Sequence, residues 1–431
     1  MQGSNAAAHS GAETAARSTV DAAAIEAAVK RLDGVAIRTP LQRNHRLSER
    51  IGAEVWLKRE DLQIGRSYKL RGAYNLIAQL DEVSKKAGVV CASAGNHGQG
   101  LAYSCHTLDV QGRVYVPRTT PRQKRDRIAA LGGDQIQVVV TGDTYDDAAA
   151  AALAEATRTG ATLVPAFDDP RTVAGQGTVA VELVGQLGRA PDVLVVPVGG
   201  GGLVAGVATW LAARHPGVRV VGVEPAGAAS MAAALAAGEP VTLPHLDSFV
   251  DGAAVRRVGD STLPLVSTAG VEMMSVPEGL VCSEMLELYQ TDGLIAEPAG
   301  ALSAAALGHG VEVKPGETVV CLLSGGNNDV SRYGEILERS LVHEGLKHYF
   351  LVTFPQEPGA LRSFLDGVLG IDDDITLFEY VKRNNRETGV ALVGLEIGRR
   401  TDLPGLLARM DAAPLTIERV NPDSPEFRYL I

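Results

Sequence analysis

Short apolar runs and amphipathic stretches take turns along residues 21–340. The runs AEVWLKRE (53–60), GVVCAS (88–93), GRVYVP (112–117), DQIQVVVT (134–141), PDVLVVPV (191–198), VRVVGVEP (218–225) and ETVVCLLSGG (317–326) are short and rich in Val, the pattern of buried strands. Between them, GAYNLIAQLDEV (72–83), HGQGLAYSCHTL (97–108), PRQKRDRIAALGG (121–133), DTYDDAAAAALAEATRTG (143–160) and GLVAGVATWLAARHPG (202–217) predict helices. Such alternation predicts an α/β fold with largely parallel sheets. Ligands of such sheets sit beyond the carboxyl ends of strands. Three turns fall at such ends: ASAGNHG (92–98), PVGGGG (197–202) and LLSGGN (322–327).

The pattern changes after a helix predicted over YGEILERSLVHEG (333–345). Strand HYFLVTFP (348–355), helix GALRSFLDGVL (359–369), strands ITLFEYVKR (375–383) and GVALVGLEIG (389–398), helix LPGLLARMDA (403–412) and strand LTIERV (415–420) follow. That is the βαββαβ order of a ferredoxin-like unit. Residues 346–431 have the size of a small separate domain, with a boundary near 343–347. Residues 21–340 form the larger unit.

Composition narrows the function. The net charge is −11, and the densest basic run, RQKRDR (122–127), includes an acid, so no nucleic-acid footprint is expected. Aromatics make up only 4%, so the core must be built from Ala, Val, Leu and Ile. Cys91, Cys105, Cys282 and Cys321 are not at metal or redox spacing, and the nine histidines form no HxxxH pattern. No metal site is expected. Residues 193–213, about 21 without a charge, are long enough to cross a bilayer. Pro197 and four glycines interrupt them, so a strand, a loop and a buried helix fit better than a membrane span. Residues 1–20 lack the apolar core of a signal segment and are expected to be a disordered tail on a cytoplasmic protein.

Four consecutive glycines, Gly199 to Gly202, end a buried strand and open a helix. Bare amides at a helix N-terminus favour an anion, and phosphate is the natural candidate; tight packing is the alternative. In GRSYKLRGAYN (65–75), Lys69 begins an apolar helix. Alone it is an exposed lysine, but a desolvated lysine amine can also attack an aldehyde. One ligand joins the two features only if it carries both an aldehyde and a phosphate.

SYKLRGA (67–73) resembles the lysine motif of fold-type II pyridoxal-phosphate enzymes, with Tyr68 in place of the usual Phe. SAGNHGQG (93–100) resembles their asparagine motif and PVGGGGL (197–203) their phosphate loop. RTPL (38–41), KREDLQ (58–63), FDDP (167–170), AGQGT (174–178) and SGGN (324–327) appear in the family's order. With the βαββαβ tail, the set is similar to the biosynthetic threonine dehydratases (threonine ammonia-lyases) that carry one ACT-like copy.

The resemblance implies two parallel-sheet subdomains, the smaller inserted over about residues 54–165, plus an ACT-like regulatory domain. Lys69 would hold pyridoxal 5'-phosphate covalently and act as the base at Cα. Asn96 would meet the ring hydroxyl. Amides of Gly199, Gly200, Gly201, Gly202 and Leu203 would cradle the phosphate. Ser93, Gly95, Asn96 and His97 would receive the substrate carboxylate. Ser324 would face the ring nitrogen and leave it neutral, which suits rapid loss of a β-hydroxyl. The implied reaction turns L-threonine into 2-oxobutanoate and ammonia, the first step of isoleucine synthesis. L-serine would react more weakly, because one pocket methyl is worth only ~1–3 kcal/mol. Isoleucine would inhibit through the tail, valine would oppose it, and a homotetramer would form.

Two alternatives stand beside this: a serine racemase or serine dehydratase, and a non-catalytic amino-acid sensor of the same fold. Glu224 resembles the start of a cation site found in some members, but Ser230 stands where an aspartate is expected. Racemases carry a second serine in the asparagine motif as the opposite-face base. Ala94 occupies that position here and has no proton to exchange. Incubation with L-serine is therefore expected to yield pyruvate without D-serine accumulating at a comparable rate, as chiral chromatography of the time course would show.

Overall fold

Strands whose every residue is apolar can exist only between two covered faces, and this constraint organises the larger unit. The computed structural model describes residues 20–381, 386–421, Ser424 and Phe427. A six-stranded sheet runs in the order β1 (Leu41–Arg43), β2 (Glu54–Arg59), β10 (Thr318–Leu323), β7 (Val193–Pro197), β8 (Arg219–Pro225) and β9 (Glu272–Val276). Only the edge pair β1–β2 is antiparallel. Every residue of β7 and β10 is buried. Side chains alternate across a strand, so Val193 and Val195 enter one core while Leu194 and Val196 enter another.

A second sheet has four parallel strands, in the order β5 (Ile136–Val140), β4 (Gly112–Val116), β3 (Val89–Ala92) and β6 (Thr162–Leu163). The smaller unit expected from residue 54 thus needs correction at its start. Strand β2 pairs with β10 through Thr318↔Glu54 to Leu323↔Arg59 and belongs to the larger sheet. Several elements escaped the sequence pattern, the helices Ala22–Leu32 and Glu278–Gln290 among them. The helix Pro170–Leu187 was seen only as motifs, β6 has two residues, and β9 lies at the sheet edge with mixed exposure.

The C-terminal unit is a four-stranded antiparallel sheet: β12 (Asp374–Tyr380), β13 (Thr388–Glu396), β11 (Lys347–Pro355) and β14 (Thr416–Arg419). Phe350, Val352 and Phe354 alternate along β11 into a core shared with Phe364 of the helix Ala360–Val368 and Leu406 of the helix Leu403–Ala412. The expected strand over 375–383 ends at Tyr380, and residues 382–385 lie outside the described ones. So does the expected tail, except Val20, which packs against the core of the larger unit.

The charge-free stretch 193–213 resolves into β7, a loop and the helix Gly202–Arg214. No described helix is long and apolar enough to cross a membrane. All four cysteines are free and buried.

Candidate active site

A cavity of about 1020 Å³ opens where β3, β7 and β10 end. Lys69, Ser93, Gly95, Asn96, His97 and Gly199 to Leu203, expected from separate motifs, all line it. Ser324 does not.

Lys69 opens the helix Lys69–Ile77, and its Nζ donates to the Ala166 carbonyl at 3.2 Å. A buried ion cluster underpins this helix. Two residues on, Arg71 forks onto Glu60, with Nε to Oε2 and Nη2 to Oε1 both at 2.8 Å, and reaches Glu182 at 2.9 Å. Lys58 meets the other Glu182 oxygen at 2.6 Å. Burial pushes the Glu60 carboxyl up, but Arg71, Lys58 and Thr39 together outweigh it and leave the group below its ordinary range. Burial lowers Lys58 against the pull of Glu60 and Glu182. The neighbouring helices approach at glycines. A side chain at Gly72 would strike Gln176, one at Gly175 the Arg71 carbonyl, and a Cβ at Gly100 would lie 2.9 Å from Leu70 N. The glycines of the lysine, AGQGT and asparagine motifs thus let three helices close around Lys69.

The glycine loop combines two constraints. Among the described residues, no acceptor takes the amides of Gly199, Gly200 or Gly201, which lead into a helix N-terminus. Thr262 Oγ1 donates to the Gly200 carbonyl at 2.7 Å, and Gly201 sits at φ 92°, where glycine is favoured. A Cβ on Gly200 would also collide with the Phe167 ring. Tight packing and amides left open for an anion, opposed readings in the sequence, coincide on one loop here.

Asn96 is held at both ends of its amide. Its Nδ2 donates to Glu297 Oε1 at 2.6 Å, and its Oδ1 accepts from Asn327 at 2.7 Å. Sequence reasoning missed Glu297. In AEPAG (296–300) it looks like a helix cap, yet its side chain makes no cap bond. Gly325 of the SGGN turn leaves room for this carboxyl, since a Cβ there would strike Oε1. Burial first, then Asp251, raises the Glu297 pKa to about 7. His97 Nε2 meets the Val164 carbonyl at 2.8 Å, which puts the ring proton there. Burial and Lys69 lower its pKa to about 4, so the ring is neutral at pH 7. Its Nδ1 has no partner among the described residues. Ser93 Oγ accepts from the Gly95 amide at 3.3 Å. Ser324 is buried, and its hydroxyl donates to the Ala299 carbonyl at 3.3 Å.

A family profile described as pyridoxal-phosphate dependent enzyme matches residues 32–325. The chain belongs to that family. A second profile, the C-terminal regulatory domain of threonine dehydratase, matches residues 338–430. A biosynthetic L-threonine dehydratase of Mycobacterium tuberculosis is 64% identical over 96% of both chains. The corresponding protein of Bacillus subtilis is 50% identical over 92% of this chain and 94% of its own. A processed threonine deaminase isoform 2 of Solanum lycopersicum superposes with TM-score 0.69 at 37% identity, over 75% of this chain and 95% of that one. Within the pyridoxal-phosphate family, the chain thus falls among the biosynthetic threonine dehydratases.

Two features of the site fit this cofactor. Undonated amides at a helix start suit its phosphate, and a lysine amine on the same cavity suits its aldehyde.

Replacing Gly200 with Ala is expected to displace Phe167 and to destabilise the cofactor-stripped protein by ~1–3 kcal/mol, the usual cost of overpacking. Denaturant unfolding of the stripped protein would measure this.

The Glu297 carboxyl also makes a pH signature. Its folded pKa of about 7 lies above the ordinary 4.5, so the folded state holds the proton longer than the unfolded chain. That stabilisation is complete below about pH 4.5 and is lost as the pH rises through about 7. Unfolding midpoints of the Glu297→Gln variant should therefore fall less than wild type's over this window.

Proposed function

We propose that this enzyme converts L-threonine to 2-oxobutanoate and ammonia, with L-serine a weaker substrate giving pyruvate. The observation that carries this is the placement of Lys69 Nζ and the free amides of Gly199 to Gly201 on one cavity. Pyridoxal phosphate, when bound, supplies an aldehyde for the substrate amine and an electron-withdrawing ring that acidifies the Cα proton.

The chain's own residues do the rest. Lys69 holds the cofactor between turnovers and takes the Cα proton on Nζ. At rest Nζ donates to the Ala166 carbonyl and lies 5.1 Å from the Tyr68 ring centroid, and among the described residues no carboxylate pins the amine. Amides from Gly199 to Leu203 take the phosphate. Asn96, clamped by Glu297 and Asn327, offers its remaining N–H to the ring oxygen. The turn Ser93–His97 receives the substrate carboxylate. The neutral His97 contributes Nδ1 as an acceptor rather than a charge. Ser324 would have to turn from the Ala299 carbonyl to reach a ring nitrogen. Ala94 places a methyl where a second proton carrier would be needed, which favours elimination over racemisation.

The C-terminal unit is read as the seat of isoleucine inhibition, opposed by valine. The assembly is read as a homotetramer in the cytoplasm. One set of measurements tests these readings. The purified protein should be yellow, with a borohydride-reducible adduct at Lys69 and faster turnover of threonine than of serine. Isoleucine should slow the full chain but not a chain ending at Glu344. A colourless protein that takes up no pyridoxal phosphate would overturn the enzyme reading, and unchanged inhibition in the shortened chain the regulatory one.

A further inference from the structure

The cavity wall includes a long loop. Leu246, Ser248, Asp251, Gly252 and Val255 line the cavity, while Phe249, inside the same loop, turns away from it and is buried. Two guanidinium groups from the segment leading into the C-terminal unit hold that ring. Arg332 lies 4.8 Å from the ring centroid and Arg339, in the helix Tyr333–Glu344, 4.3 Å. Both are within cation–π range. Arg332 also donates to the Phe249 carbonyl at 2.7 Å and pairs with Asp251 at 3.6 Å. Arg339 pairs with Asp247 at 4.0 Å. The loop is thus gripped at Asp247, Phe249 and Asp251.

The same helix is tied through its middle to the C-terminal sheet. Glu338, one residue before Arg339, accepts from both Lys347 Nζ and Tyr349 Oη of β11. That strand is flanked by β13 and β14 and runs through the sheet's core. On the cavity side, the loop abuts the phosphate cradle and the Asn96 clamp. A Cβ on Gly199 would lie 3.0 Å from Ala253, and Asp251 acts on the Glu297 carboxyl. A shift of the helix by a fraction of a turn would therefore move groups on two sides of the cavity.

We infer that Phe249, gripped by Arg332 and Arg339, is a positioning residue for the active-site wall and the point through which the C-terminal unit acts on the cavity. This rests on the reading of that unit as an effector-binding domain. The grip joins discrete packed groups, and such contacts can carry coupling between distant sites. Neither arginine lines the cavity, so the relay can be loosened without touching the chemistry.

The test uses the full-length, cofactor-loaded enzyme and the variants Arg339→Gln, Arg339→Lys and Phe249→Leu. Hydrogen exchange of amides 246–257 should quicken in Arg339→Gln and Phe249→Leu. The isoleucine concentration for half-inhibition should shift by about 2- to 30-fold, while Arg339→Gln keeps its turnover without effector. Arg339→Lys, which keeps a cation over the ring, should restore most of both. Arg339 is partly exposed, and Arg339→Gln keeps the test open if Phe249→Leu does not fold. Wild-type exchange and an unshifted response in Arg339→Gln, in an enzyme that isoleucine does inhibit, would overturn the relay alone. A wild-type enzyme indifferent to isoleucine would overturn the effector reading and the relay with it.

Discussion

The ion cluster beneath Lys69 is the constraint on which the site depends. Arg71 and Glu60 are almost wholly buried, and Lys58 is wholly so. Such clusters are poor sources of net stability, because desolvation takes back much of what attraction provides. They are strict about position, however. Removing one member strands another charge in a dry interior. The helix that presents Lys69 therefore has one seat. The glycine contacts at Gly72, Gly100 and Gly175 bring the neighbouring helices onto it without intervening side chains.

From that seat the rest of the cavity follows by topology. Parallel strands from two sheets end on the same side, and each end releases a turn that borders the gap. The strand β3 feeds the Asn96 turn, β7 the glycine loop and β10 the SGGN turn. The molecule needs no separate scaffold for each group, since the sheets place all three turns.

Much of this was legible in the sequence. The short apolar strands, the βαββαβ tail and the motif residues each carry a local signature, and ten of the eleven expected site residues line one cavity. What stayed hidden acts across the chain. Glu297 lies about 200 residues from Asn96, and nothing in AEPAG marks it as more than a cap. Phe167 belongs to a noticed motif, yet its role against Gly200 exists only in three dimensions. The loop 246–257 has neither helical nor strand periodicity. Ser324 shows the converse: a motif fixes which residue stands at a strand end, but a rotatable hydroxyl takes the nearest acceptor, here the Ala299 carbonyl.

The division of β7 between two cores gives the cavity walls unequal stiffness. A strand buried on both faces can open only if two layers open together, so its end belongs to the last part of the molecule to fluctuate. The glycine loop inherits that rigidity. The facing turn after β3 hangs from a smaller sheet, whose strands β5 and β6 are only partly buried. Adjustment to a ligand therefore falls mainly to the smaller sheet, with the glycine loop serving as its anvil.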